Sequence, residues 1–232
     1  MDMKLKPALT IFDCDGTLID SELLYNTVIS DLLCESGLVQ YTPELCLERF
    51  TGLTFTHICA QVEQEHKIDL SLQITPDIYI SRAQAQMDKG LSAIMNADQL
   101  VARSKTLGKI CVASNGERSS VIKSLKLTGL YGAFEGGEDH IFTKIQVENA
   151  KPAPDLFLFA AEKMDVQPKE CAVIEDSVAG VRAGIAAGMY VLGFTGSHHN
   201  PAMHANALKE AGAHRIFSDL IHIADYLGNE KG

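Results

Sequence analysis

Along the chain, short continuous apolar runs alternate with stretches in which apolar residues return every three or four positions. That is the pattern of a parallel sheet whose strands are joined by helices. The first apolar run, Leu9 to Phe12 (LTIF), stops abruptly in Asp13, Cys14, Asp15, Gly16 and Thr17. After Asp20 the period becomes helical: Leu24, Val28, Ile29, Leu32 and Leu33 share one stripe, Asp20 or Ser21 can cap it, and Gly37 ends it. The segments 43–50, 55–66 and 76–89 also read as helices, with no strand among them. A helical block of about 70 residues is too long for a simple crossover, so it reads as an insertion. The expected division is a core of residues 1–18 with 90–232 and a helical cap of residues 19–89.

Beyond the insertion the alternation resumes. A helix is predicted over 97–107, a strand over Lys109 to Ser114 (KICVAS), a helix over 117–127 and a glycine-rich turn at Gly129 and Gly132. Residues 139–147 read as a short strand or a pair of turns. A helix over 154–164, a strand over Cys171 to Asp176 (CAVIED), a helix from Ser177 to Ala187 and a strand over Tyr190 to Phe194 follow. His198, His199 and His204 fall in what reads as a loop with Asn200 and Pro201, where a solvated or rim role outweighs a second metal site. A strand over 215–217 and a helix to Leu227 close the chain. The predicted fold is α/β: a doubly wound, Rossmann-like parallel sheet with an inserted α-helical cap.

Composition narrows the function. Apolar residues at 46% and charged residues at 22% are ordinary for a globular chain of 232 residues. No apolar run is long enough to span a bilayer and the first residues lack a signal-peptide core, so a cytoplasmic location and no membrane partner are expected. A net charge of -10 argues against a nucleic-acid surface but not against a small anionic substrate, since a bound cation can reverse the local potential. The six cysteines form no C-x-x-C pair and no zinc spacing, so they read as reduced thiols. Cys14 is expected to point away from its two aspartate neighbours. Phe134, Phe142, Phe157 and Phe159 read as packing residues.

The candidate chemistry gathers where the strands stop. In an open α/β sheet the ligand crevice lies at the carboxyl ends of the strands. Strand one delivers Asp13 and Asp15; the next ends in Ser114, Asn115 and Gly116; the CAVIED strand ends in Glu175 and Asp176. Two acids one residue apart can divide the work of nucleophile or metal ligand and of proton carrier, although Asp-x-Asp-Gly also serves as a plain acidic turn. Ser114, Asn115 and Gly116 precede a helix, where a hydroxyl and free N–H groups can receive a phosphate oxygen, although Ser-Asn-Gly is also a common turn. Asp13 and Asp176 could hold Mg²⁺, a hard ion that takes oxygen ligands. Acids crowded in this way need a cation or raised pKa values. Lys151 opens KPAPD, whose prolines stiffen the approach to a helix.

The DCDGT segment, Ser114 in VASNG, Lys151 in KPAPD and Glu175-Asp176 in VIEDS, in this order over nearly the whole chain, resemble the four motifs of the haloacid dehalogenase-like hydrolase superfamily. The helical block resembles the small cap of its subgroup of sugar-phosphate phosphatases and β-phosphoglucomutase. The resemblance implies that Asp13 is the nucleophile forming an aspartyl-phosphate and that Asp15 protonates the leaving alkoxide and later deprotonates water. It implies Mg²⁺ held by Asp13, the Asp15 carbonyl and Asp176, with Glu175 acting through a water. Thr17, Ser114, Asn115, Gly116 and Lys151 would then surround the transferring phosphoryl group. Arg49 and Gly52 fall in a turn that resembles the family's specificity loop, where Arg49 reads equally as an exposed helix-end arginine. The expected partner is a small phosphorylated metabolite such as 6-phosphogluconate, and the expected state a monomer. A phosphosugar mutase is the alternative. Tyr25 stands where the mutase has a histidine, twelve residues after the nucleophile, which favours hydrolysis. A non-catalytic binder is a second alternative, disfavoured because Asp13, Asp15, Lys151 and Asp176 are all present.

Overall fold

The structure is a computed structural model and describes residues 6–50, 53–198 and 200–228. In chain order its regular elements begin with strand β1 (Leu9–Phe12) and the two-residue β2 (Ile19–Asp20). Helices α1 (Glu22–Glu35), α2 (Pro43–Phe50), α3 (Phe55–His66) and α4 (Pro76–Met87) follow, then β3 (Ser92–Ala93), α5 (Ala97–Lys105), β4 (Lys109–Ser114) and α6 (Arg118–Leu127). The remainder is β5 (Ile141–Thr143), α7 (Asp155–Lys163), β6 (Cys171–Glu175), α8 (Val178–Ala186), β7 (Tyr190–Phe194), α9 (Pro201–Glu210), β8 (Arg215–Phe217) and α10 (Leu220–Tyr226).

Six strands form one parallel sheet in the order β5-β4-β1-β6-β7-β8. This is the predicted α/β fold. The first strand lies inside the sheet between β4 and β6, which is why its residues are fully buried and, Thr10 apart, apolar. Leu9 and Ile11 face α7 and α8 through Phe157, Ala160 and Val181. Phe12, on the opposite face, meets Phe134 edge to face with ring centres 6.3 Å apart. Phe134, Phe142 and Phe157 are buried and Phe159 packs against Phe142, as packing residues should. Cys14 turns into the interior, with its sulfur 3.8 Å from the Ser124 hydroxyl.

The chain divides into two compact units, residues 1–20 with 92–232, and Ser21–Leu91. The second unit starts and ends two residues later than the cap expected over 19–89, because Ile19 and Asp20 pair antiparallel with Ser92 and Ala93 and so belong to the first unit. The Ser21–Leu91 unit has its own core, in which Leu24, Val28, Ile29, Leu32 and Leu33 of α1 pack with Tyr41, Phe50, Val62 and Met87. Thr54 and Thr75 cap α3 and α4 through their side chains. Among the described residues no helix is long and apolar enough to cross a membrane.

One segment agrees with an open reading and another departs from it. Residues 139–147 hold both of the alternatives, β5 being flanked by single 3₁₀ turns over Gly137–His140 and Lys144–Gln146. The segment read as a loop after β7 contains α9, with Asn200 accepting from the Met203 N–H as its cap and Pro201 in the first turn. Asn-Pro is a helix-start signal, but the polar histidines around it mask any apolar stripe.

The packing gives a direct expectation. Phe157 is fully buried between α7 and the sheet, so Phe157→Ala should lower the unfolding free energy by about 3–5 kcal/mol in urea titrations. A loss under about 1 kcal/mol would mean that the site collapses around the deletion.

Candidate active site

The carboxyl ends of β1, β4 and β6 are adjacent in the sheet, so side chains far apart in sequence converge. At their centre lies Lys151, whose side chain is 2% exposed. Its Nζ donates to Asp13 Oδ1 at 2.6 Å, to Glu175 Oε1 at 2.6 Å and to the Ala113 carbonyl at 2.7 Å. Three N–H bonds meet three acceptors, so the ammonium is fully used and fixed in place. Burial would push this lysine down, but the two carboxylates outweigh it and hold the pKa above the ordinary lysine value. The Phe157 ring lies 4.7 Å from the ammonium and closes its apolar side.

The main chain that carries Lys151 is held by Asn115. The Asn115 side-chain oxygen accepts from the Lys151 N–H at 3.1 Å, and its amide donates to the Lys151 carbonyl at 3.0 Å. This two-point clamp ties the KPAPD loop to the end of β4. Ser114 is buried and its hydroxyl accepts from the Gly116 N–H at 3.0 Å, tightening the turn into α6. A side chain at Gly116 would come within 3.1 Å of Asp15 Oδ2, which places the second aspartate of strand one over this turn.

Asp13, Glu175 and Asp176 offer carboxylate oxygens that all lie within 4.8 Å of one another. At an effective dielectric of ~20, two unit charges at that separation repel by about 3 kcal/mol. Three buried acids face one buried ammonium, leaving an excess of two negative charges. Accordingly burial raises the Asp13 pKa well above the usual carboxylate range, Lys151 pulling it down while Glu175 and Asp176 push it further up. Excess charge and an all-oxygen donor set fit a hard divalent cation. Glu175 has little left to offer, since Oε1 takes Lys151 and Oε2 takes the N–H and hydroxyl of Ser177, both at 2.9 Å. Asp13 and Asp176 are the stronger ligand candidates.

Asp176 is oriented from several sides. Thr17, fully buried, donates its hydroxyl to Oδ1 at 3.0 Å. His198 Nε2 lies 3.2 Å from Oδ2, and His204 Nε2 contacts the Asp176 carbonyl. Burial lowers the His204 pKa, which favours the neutral ring. These two histidines are the residues that the sequence reading set aside: the His198 side chain is only 8% exposed rather than solvated. The signal that could have found them is the Asn-Pro helix start, which sends His204 back toward the sheet on the first turn of α9.

Two glycines are demanded by the acids. At Gly16, with φ of +81°, a Cβ would sit 2.3 Å from Asp176 Oδ2. A Cβ at Gly180 would fall 1.7 Å from Glu175 Oε1.

Asp13, Asp15, Thr17, Ser114, Asn115, Gly116, Lys151, Glu175 and Asp176 thus all lie in the first unit, at neighbouring strand ends. Arg49 lies in the other unit, at the end of α2, where it donates to Glu65 at 2.6 Å and lies over the rings of Tyr41 and Phe50. Gly52 and His199 lie outside the described residues.

A family model described as haloacid dehalogenase-like hydrolase matches residues 10–194. The 6-phosphogluconate phosphatase of Escherichia coli strain K12 is 33% identical over 194 residues, which cover 83% of this chain and 85% of that protein. Among solved structures, a haloacid dehalogenase-like protein of Agrobacterium tumefaciens strain C58 matches with a TM-score of 0.78 at 33% identity, over 93% of this chain and 95% of that one. A HAD-family hydrolase of Deinococcus radiodurans R1, solved with bound phosphate and sodium, matches with a TM-score of 0.74 at 30% identity, over 97% and 99%. With the strand-end acids, the buried lysine and a family model that spans the sheet from β1 to β7, the chain belongs to the haloacid dehalogenase-like hydrolases.

Proposed function

We propose that the protein is a Mg²⁺-dependent phosphatase that hydrolyses small sugar phosphates, 6-phosphogluconate among them, through an aspartyl-phosphate on Asp13. The observation that carries this reading is the buried Lys151 bridging Asp13 and Glu175, with Asp176 alongside. The relative from Escherichia coli is named for 6-phosphogluconate, and the Deinococcus structure holds phosphate, which supports the substrate class.

In this mechanism an ionised Asp13 oxygen attacks phosphorus, and the bond to the leaving alkoxide breaks as that oxygen takes a proton from Asp15. Asp15, now a base, removes a proton from water, which attacks the phosphorus of the acyl phosphate and returns Asp13 and inorganic phosphate. Lys151 favours the ionised form of Asp13 against the burial that opposes it, and supplies positive charge beside the reacting oxygens. The Ser114, Asn115 and Gly116 turn would face the phosphoryl oxygens, Thr17 would steady Asp176, and Glu175 would anchor Lys151. Mg²⁺ held by Asp13, Asp176 and the Asp15 carbonyl would supply the charge neutralisation that phosphoryl transfer requires. Arg49 and Gly52 are proposed as substrate-binding residues. The expected location is cytoplasmic and the expected state monomeric.

The decisive assay is a panel of phosphorylated metabolites with and without Mg²⁺, reading phosphate release. Release from sugar phosphates, lost without metal and reduced by about four orders of magnitude or more in Asp13→Asn, is the expected result. Bisphosphate-dependent isomerisation with no net phosphate release would identify a mutase instead.

Loss of the Asn115 clamp should let the Lys151 loop shift. Asn115→Ala is expected to lower kcat by about tenfold to a hundredfold while the protein remains folded by circular dichroism; unchanged kcat would remove Asn115 from the machinery.

The raised Asp13 pKa gives a pH signature. Between the ordinary aspartate value and the raised one, the folded metal-free protein binds more protons than the unfolded chain, so stability falls as pH rises through that window. A cation replaces the proton, so the thermal shift produced by Mg²⁺ should grow as pH rises through that window. A shift independent of pH would contradict this assignment.

A further inference from the structure

The His198–His204 pair lies behind Asp176 and has no part in the proposed phosphoryl chemistry. His198 comes from the turn after β7, where its own N–H bonds the Thr195 carbonyl at 3.2 Å. His204 comes from the first turn of α9, fixed by the Asn200 cap. Their rings stack with centres 3.4 Å apart and planes 19° from parallel. One imidazole meets the carboxylate and the other the main-chain carbonyl of the same residue, so a single stacked unit grips Asp176 at both ends. A carbonyl can only accept, so His204 presents its Nε2–H. An ionised Asp176 likewise makes His198 Nε2 the donor to Oδ2. With Thr17 on Oδ1, both carboxylate oxygens carry a donor and rotation of the carboxylate is blocked.

We propose that His198 and His204 are positioning residues for metal acquisition: the stacked pair holds the Asp176 carboxylate in its ligating orientation and so sets the affinity for the divalent cation. The inference rests on the reading of Asp176 as a ligand. Hydrogen bonds to a ligating carboxylate from its outer partners typically affect metal affinity by about 10–100-fold. His198 and His204 come from a segment that supplies none of the proposed reacting groups.

The test is Mn²⁺ binding to metal-free protein, followed by electron paramagnetic resonance of the free ion. His198→Phe keeps a flat ring for stacking but removes the donor; His198→Ala removes both, and serves if the larger ring disturbs folding. Both should weaken Mn²⁺ binding by about 10–100-fold, while His198→Gln, which restores an N–H donor, should recover most of the loss. His204→Phe should weaken binding in the same direction. With Mn²⁺ raised to saturation, kcat and KM of the histidine variants should return to within about threefold of the parent, separating metal affinity from chemistry. Unchanged Mn²⁺ affinity in both His198→Phe and His204→Phe overturns the proposal, as does an equal loss in His198→Gln. Asp176→Asn distinguishes the two levels: if it abolishes Mn²⁺ binding while the histidine variants bind normally, only the positioning role fails. If Asp176→Asn binds Mn²⁺ as the parent does, the ligand reading and the positioning role fail together.

Discussion

The structure depends on one buried cation among buried anions. Lys151 is ion-paired to Asp13 from β1 and to Glu175 from β6, and hydrogen-bonded to the last-but-one carbonyl of β4. Taking an ammonium and carboxylates out of water costs several kcal/mol for each ion, recovered only when geometry is good and every polar atom is satisfied. Here every N–H of the lysine is used and both oxygens of Glu175 are bonded, so these two groups meet that condition. The same contacts tie three adjacent strand ends together. The edge of the sheet and the charge cluster are therefore held by the same contacts.

That cluster determines the small residues around it. Gly16 is required twice over, by a backbone turn that L side chains rarely adopt and by the nearness of the Asp176 carboxylate. Gly180 has an ordinary helical conformation, and only the Glu175 carboxylate explains the missing side chain. Helix α8 can then run directly over the acid, and Ser177 both caps that helix and bonds Glu175. One short stretch from Glu175 to Gly180 thus supplies an ion-pair partner, a ligand candidate, a cap and the space they need.

Much of the fold was legible because burial on both sides leaves an unmistakable mark: LTIF, KICVAS and CAVIE are continuous apolar runs ending in polar residues, and each is a central strand. The acids of the candidate site were legible for the same reason, since Asp13, Glu175 and Asp176 sit where those runs stop. What could not be read was who holds whom. Asn115 and Thr17 read as groups around a phosphate, yet their side chains engage the Lys151 backbone and the Asp176 carboxylate, contacts across 36 and 159 residues that no local pattern encodes. Helix α9 escaped because it buries little, Leu208 being its one fully buried residue, so its apolar period is too faint to see. With the helix went His204, and with the loop His198.

The two units divide the constraints on the sequence. In the first, a change of one methyl group at Gly16 or Gly180 collides with a carboxylate, and a change at Lys151 leaves two buried acids without their cation. In the Ser21–Leu91 unit, the core of leucines, valines and aromatics carries no buried charge cluster of this kind among its described residues. Arg49 and Glu65 there form a pair with side chains 30% and 42% exposed, which water screens and substitution can alter at little cost to stability. Under the proposed function the reacting groups are locked into the sheet of the first unit, while Arg49 stands on a separately packed helical unit, so a change at Arg49 leaves the buried charges untouched.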